Sequence, residues 1–252
     1  MIGADELRGK RSVQDPLKPA PPPVRERCVM SDQKDFIPAL GRAELTGDYD
    51  RVIAVMTRER RWRAVLLDLL DPFDGELIAD IGAGTGSQAI AIKARCPGAR
   101  VVGIDPDPAV LRIARGKAEA AGVEVEWLEG YGDEADRILG SAVADKVISS
   151  LVLHQCDVPV KAEILTAMVR LGRPDARVVV ADYGLQRTLL MRLLFRQVQA
   201  LDGWERTGFN AKGKLPDLMA AAGLLGVAER RVIPTSTGSI SLYVATTPGA
   251  DR

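Results

Sequence analysis

IADIGAGTGSQA, residues 78–89, is the stretch on which the reading of this chain turns. An apolar run ends in the acid Asp80, and Gly82, Gly84 and Gly86 follow at alternate positions before a helical pattern begins. Glycines so placed let a backbone turn sharply out of a strand and approach a ligand with no Cβ in the way. A dinucleotide fingerprint, G-x-G-x-x-G, would need glycine where Ser87 stands. Asp80, two residues before the first glycine, would also be a poor neighbour for a pyrophosphate.

Outward from this loop, five short runs alternate with helical patterns: Leu77 to Ile81, Arg100 to Asp105, Glu124 to Leu128, Lys146 to Leu151 and Arg177 to Asp182. Such alternation implies parallel strands joined by right-handed crossovers. Asp107 can cap a helix that Pro108 begins, with Leu111, Ala114, Ala118 and Ala121 inward and Gly122 past its end. Pro159 begins another, with Leu165, Met168 and Leu171 inward. Val227 to Ile233 and Ser239 to Thr246 read as strands joined by a hairpin turn over Pro234 to Gly238. The expected fold is α/β: a doubly wound, mostly parallel seven-stranded sheet with a C-terminal antiparallel hairpin.

Before the loop, Trp62, Val65, Leu66 and Leu69 mark the buried face of a helix within Asp50 to Leu70. Residues 1–35 hold five of the fifteen prolines among mixed charges, so they are expected to be a disordered extension, with the domain spanning 36–248. Met30 opens the stretch before the first folded pattern, and the residues upstream of it are expected to be dispensable for folding. After the fifth strand, Leu189 to Phe195, Val198 and Leu201 form a helix apolar around much of its girth, followed by an aromatic-bearing loop from Trp204 to Phe209. Core packing explains that pattern; so does a lid over a lipophilic ligand, which makes 183–222 the expected substrate side.

Composition narrows the classes of function. Thirty-four Lys and Arg balance thirty-four Asp and Glu, leaving no global basic field for nucleic acid. Cys28, Cys96 and Cys156 lie far apart without a C-x-x-C pair, which argues against a disulfide framework and a zinc site; no metal is expected. No apolar run is long enough for a membrane span and no secretory signal is evident, so the cytoplasm is the expected compartment. Oligomeric state stays open.

Asp105, nineteen residues after Gly86, ends the second strand, where a carboxylate can accept hydrogen bonds from both ribose hydroxyls. Nicotinamide enzymes use an acid there too. Asp80, by contrast, suits an aminoacyl sulfonium with its two positive centres, which disfavours an oxidoreductase.

With these residues in place, the chain from about Phe36 to Thr247 resembles the class I S-adenosylmethionine-dependent methyltransferases, and within them the ubiquinone/menaquinone-type small-molecule subgroup. The likeness rests on DIGAGTG (80–86), VVGIDPDPAVLRIAR (101–115), WLEGYGDEA (127–135), DKVISSLVLHQ (145–155) and GRPDARVVVADYG (172–184), in family order. YDRVIAVMTRERRWR (49–63) is similar to the family's upstream helix, though about two residues shorter. The resemblance implies S-adenosylmethionine as cofactor, with Gly82, Ala83 and Gly84 at its methionine portion, Tyr49, Thr57 and Arg63 lining the methionine end and Asp105 on the ribose. Pro106, Gly130 and Ser149 would also lie beside it.

Two departures stand out. The family has Gly-Asp after its third strand, where the acid meets the adenine amino group; here Gly130, Tyr131 and Gly132 precede Asp133. Either Tyr131 stacks on adenine or Asp133 takes the amino contact. Ile53 stands where quinone enzymes place a polar residue, so the likeness does not carry a quinone acceptor with it. His154, the only histidine, lies at the expected substrate edge and is either a structural residue or a base that deprotonates the acceptor. Tyr183 and Asp182, at the end of the fifth strand, compete for that role. The function implied is methylation of a small, lipophilic or aromatic acceptor at O, N, S or C. The alternative is a non-catalytic sensor or scaffold that binds S-adenosylmethionine or S-adenosylhomocysteine, favoured by Tyr131 in place of the adenine-side acid.

Overall fold

A computed structural model of the chain describes residues 57–250. Seven strands form one sheet: β1 (Leu77–Ile81), β2 (Arg100–Asp105), β3 (Glu126–Glu129), β4 (Ala144–Ser150), β5 (Gly172–Tyr183), β6 (Leu225–Thr235) and β7 (Gly238–Thr246). Their order is β3-β2-β1-β4-β5-β7-β6; the first five run parallel, and β7 pairs antiparallel with both β5 and β6. The expected doubly wound sheet with its antiparallel hairpin is what the structure contains.

The chain leaves β1 toward β2 and β3, then returns to lay β4 on β1's other side, so the strand order reverses between β1 and β4. A crevice for ligand opens outside the carboxyl ends at such a reversal. Register brings those ends level, since Ile81 pairs with Ile104 of β2 and Ser149 of β4, and Asp105 with Glu129 of β3.

Helices cover both faces, as parallel strands require. All five β1 residues are buried, and alternate side chains go to opposite layers. Leu77, Ala79 and Ile81 join Val102, Ile104, Val147, Val178 and Val180 beneath α5 (Val158–Leu171) and α8 (Leu215–Ala221). Ile78, Val101, Ile148 and Val179 join Trp62, Leu66 and Leu70 of α1 (Glu59–Leu70), Ile92 of α2 (Ser87–Arg95), and Phe195 and Val198 of α6 (Leu189–Asp202). Burial of each large apolar side chain contributes about 1.5–3 kcal/mol.

The remaining helices are α3 (Pro108–Ala120), α4 (Ala135–Leu139) and α7 (Trp204–Ala211). Asp107 caps α3 as its chemistry predicts, accepting from Ala109 N at 2.8 Å and Val110 N at 3.3 Å with Pro108 at the first position. Ala121, expected on α3's inner face, is exposed, because the helix ends one residue earlier. Helix α1 starts at Glu59; Arg58 before it has φ 53°, a left-handed backbone that cannot continue a helix. Strand β3 begins two residues later than its apolar pattern indicates. Strand β5 begins five residues earlier, at Gly172, with a register shift against β4 between Ala144 and Lys146.

The segment after β5 departs most from expectation. Trp204 to Phe209 is helical, part of α7, set off from α6 by Gly203 at φ 91°. Helix α6 buries only Phe195 and Val198, while Leu189, Leu190, Leu193, Leu201 and the following Trp204 stand exposed. Residues 1–35, Tyr49 and Ile53 lie outside the described residues, as does most of the expected helix before Thr57. Among the described residues no helix is long and apolar enough to cross a membrane.

Candidate functional site

The loop after β1 is anchored by its own backbone: Gly82 N and Ala83 N both donate to Ile104 O, at 2.8 and 3.0 Å. Gly82 and Gly84 have φ of 71° and 56°, the left-handed region. A Cβ on Gly82 would lie 2.3 Å from Val152 Cγ2, so this glycine permits close packing against the segment after β4. A Cβ on Gly84 would meet nothing within 4 Å, so here the backbone faces open space. Lys117 Nζ, from α3, holds the loop from outside through Thr85 Oγ1 at 3.0 Å and Ser87 Oγ at 2.7 Å.

Asp105 is nearly buried beside the loop, accepting from Gly84 N at 2.9 Å and Asp107 N at 3.0 Å. Burial raises its pKa, and those two backbone donors oppose the rise. One oxygen thus faces the glycine loop and the other its own turn, and each keeps a lone pair for a further donor. Pro106 follows, partly covered. Gly130 N donates to Asp105 O at 3.1 Å, which brings the turn of Tyr131 and Asp133 to the same edge. Tyr131 is exposed and Asp133 half-buried.

Asp80 is the anomaly of the site. It is fully buried, and neither carboxylate oxygen meets a donor in good hydrogen-bond geometry among the described residues, although the backbone N–H of Ala89 lies close enough to favour the charged form. Burial pushes its pKa up to about 7; Arg63 opposes this and the Asp105 charge adds to it. Arg63, from α1, bonds Glu59 Oε1 at 2.5 Å and reaches toward Gln88 Oε1 at 3.5 Å. Gln88 Nε2, on α2, is likewise buried and unpartnered. Unpaired buried polar atoms cost about 1–3 kcal/mol each, more when charged, so a group of them beside a glycine loop marks a place built for something else. A carboxylate for an ammonium, beside an arginine and an amide for a carboxylate, is the donor set that matches the dipolar end of an amino acid. Thr57, buried, is the first described residue of this region.

Ser149 lies near the end of β4, paired with Ile81 of β1. It is buried and its hydroxyl donates to Ile81 O at 2.9 Å, tying β4 to β1.

Of the two roles open to His154, its surroundings favour the structural one. It sits in a single turn, Leu153–Gln155, with its ring buried between two carboxylates: Nδ1 is 2.9 Å from Asp182 Oδ1, and Nε2 is 3.5 Å from Asp202 Oδ2. Burial alone would lower the imidazole pKa; the charge and hydrogen bond of Asp182, helped by Asp202, overcome it and raise the value to about 9. The two carboxylates thus favour the imidazolium form, which has no lone pair to accept a proton. Asp182 is equally engaged, accepting from Leu153 N at 2.8 Å, Tyr183 N at 2.7 Å and Asn210 Nδ2 at 3.3 Å. Tyr183, packed edge-on against His154, shares a 2.8 Å hydrogen bond with Thr237 Oγ1, and burial pushes its pKa far up. Neither candidate is placed as an acceptor of protons. The network fastens α6 through Asp202, and α7 through Asn210, to the ends of β4 and β5. Lys161 of α5 completes it, donating to Arg206 O at 2.6 Å and Asn210 Oδ1 at 2.7 Å.

Residues 78–175 match a family model described as a methyltransferase domain. The chain is 42% identical over 89 residues to the demethylmenaquinone methyltransferase of Thermus thermophilus, covering 34% of this chain and 40% of that one. It is 28% identical over 148 residues to a ubiquinone/menaquinone biosynthesis C-methyltransferase of Paracoccus denitrificans, covering 54% of each. The chain thus spans from two fifths to about half the length of these relatives. Among solved structures, magnesium protoporphyrin IX methyltransferase from Synechocystis PCC 6803 superposes with TM-score 0.60 at 18% identity, over 75% of this chain and 83% of that one. The fold is that of Rossmann-like methyltransferases, and residues 78–175 match the methyltransferase-domain model. The chain's sequence is similar to the quinone-type enzymes.

Proposed function

We propose that the protein transfers the methyl group of S-adenosylmethionine to a small, lipophilic or aromatic acceptor. The observation that carries this reading is Asp80, buried and in no ion pair among the described residues beside an open glycine loop, with Arg63 and Gln88 across from it and Asp105 at the next strand end. In this assignment Asp80 takes the ammonium of the cofactor, Arg63 and Gln88 its carboxylate, and Asp105 its ribose hydroxyls. Bound there, S-adenosylmethionine supplies an electrophilic methyl on a sulfonium that is already a good leaving group.

The chain's own part is then alignment and exclusion of water. Orientation of this kind can lower a barrier by roughly 7–11 kcal/mol, more than a general base usually supplies. His154 then need not act as a base: with Asp182, Asp202 and Asn210 it holds the segment 183–222 over the strand ends, on the acceptor's side. The likeness to quinone-type enzymes supports a small-molecule acceptor, and the even charge balance argues against a polynucleotide. A cytoplasmic location and a single methyltransferase domain over residues 36–248 belong to the same proposal.

Calorimetric titration with S-adenosylmethionine, S-adenosylhomocysteine and NADH tests it. Micromolar binding of the first two without the third is the expected result, and binding of NADH alone would overturn it. Release of S-adenosylhomocysteine in the presence of any acceptor would eliminate a non-catalytic sensor.

A further inference from the structure

A cavity whose lining includes no residue of the glycine loop is formed by α6, α7 and the residues that follow β5. Its volume is about 350 Å³, within the range of small-molecule sites. Leu185, Phe195 and Ala211 give it apolar walls, and Arg192 of α6 and Lys212, just past the end of α7, bring two cations to its lining. Arg192 spends only Nε, donating to Gln186 O at 3.0 Å; its two terminal nitrogens meet no carboxylate among the described residues, and neither does Lys212. The nearby Arg187, by contrast, is paired with Glu229. Leu189, one turn before Arg192 and so on the same side of α6, is exposed and extends the apolar surface past the opening. Gly208 leaves room: a Cβ built on it meets nothing within 4 Å.

We infer that this cleft binds an apolar or aromatic acid, its hydrocarbon body against Leu185, Phe195 and Ala211 and its carboxylate, sulfonate or phosphate between Arg192 and Lys212. Two cations without a carboxylate partner among the described residues, both in the lining of an apolar cavity, suit an amphiphilic anion and disfavour a neutral or cationic guest. The site stands on its own geometry and does not depend on methyl transfer.

The probes are anilinonaphthalene sulfonate, an aromatic anion, and phenylnaphthylamine, the same ring system without the sulfonate. Fluorescence titration of the full chain should give one saturable site for the sulfonate, with the neutral amine bound at least ~tenfold more weakly, as for loss of one charge-assisted contact. Lys212→Met, which disturbs no hydrogen bond of that side chain, should weaken the sulfonate at least ~fivefold and leave the amine unchanged. Gly208→Phe, in a helix with ordinary φ, should fill the cavity and abolish both while the melting temperature is kept. Equal affinity for the two dyes, or sulfonate binding unaltered in both variants, would put the dye on the exposed leucines of α6 and overturn the inference.

Discussion

Asp80→Asn isolates the buried carboxylate of the glycine-loop pocket, which forms no ion pair among the described residues. In the empty protein burial holds the Asp80 pKa near 7, with Arg63 and Asp105 as the other charges facing it. Its folded pKa lies above the ordinary 3.8, so ionised Asp80 costs folding stability that is present below that value and lost as pH rises through about 7. A cationic ligand end reverses the preference, and binding must then expel the proton. At about pH 6 only about one molecule in eleven is ionised, so Kd for S-adenosylmethionine should be about tenfold above its plateau; near pH 7 the penalty should be about twofold. Calorimetry from about pH 5.5 to 7.5, below the titration of an α-ammonium, in two buffers of different ionisation enthalpy, should show close to one proton released at the acid end. In Asp80→Asn the pH dependence should vanish and Kd at about pH 7.5 should rise by roughly ten- to a hundredfold, the range for a hydrogen bond to a charged group. A flat wild-type profile, or the same slope in a folded Asp80→Asn protein, would refute the assignment of Asp80 to the ligand's ammonium.

Three further outcomes are expected. Asp105→Ala should weaken S-adenosylmethionine at least ~tenfold, about 1.4 kcal/mol, in a calorimetric titration. Gly84→Val should weaken it more severely, because a branched side chain is strained at φ 56° and fills space the ligand needs; circular dichroism would check that the fold survives. His154 has a folded pKa raised from 6.5 to about 9, so its contribution is complete below about pH 6.5 and disappears as pH rises through 9. His154→Gln should accordingly cost roughly 3 kcal/mol in urea unfolding at pH 6 and far less near pH 10.

The elements legible from the amino acids were those written in local chemistry. Strand β1 announces itself by a short apolar run, interrupted only by Asp80, ahead of three spaced glycines, and α3 by Asp107 and Pro108. Helix α7 was not legible, because its apolar pattern is short and its buried face is polar: Thr207 and Asn210 sit there only because α6, β5 and the turn at His154 surround them. The role of His154 was hidden for the same reason. Its partners, Asp182 and Asp202, are 28 and 48 residues away in the chain, and only the fold brings them to the two ring nitrogens. Gln88 was equally silent, since a glutamine on the inner side of a helix has meaning only once Arg63 and Asp80 are seen across from it.

The place of β7 has a consequence for how this protein is made. The last strand of the described residues is not at the rim; it lies between β5 and β6 and supplies the pairing of both. Until residues 238–246 have left the ribosome, β6 has no partner and the valine-rich edge of β5, Val178 to Val180, stays open to any extended chain nearby. A nascent chain stalled before that point would be an aggregation hazard despite holding the whole glycine-loop pocket, so late synthesis rather than the ligand site sets its exposure to chaperones.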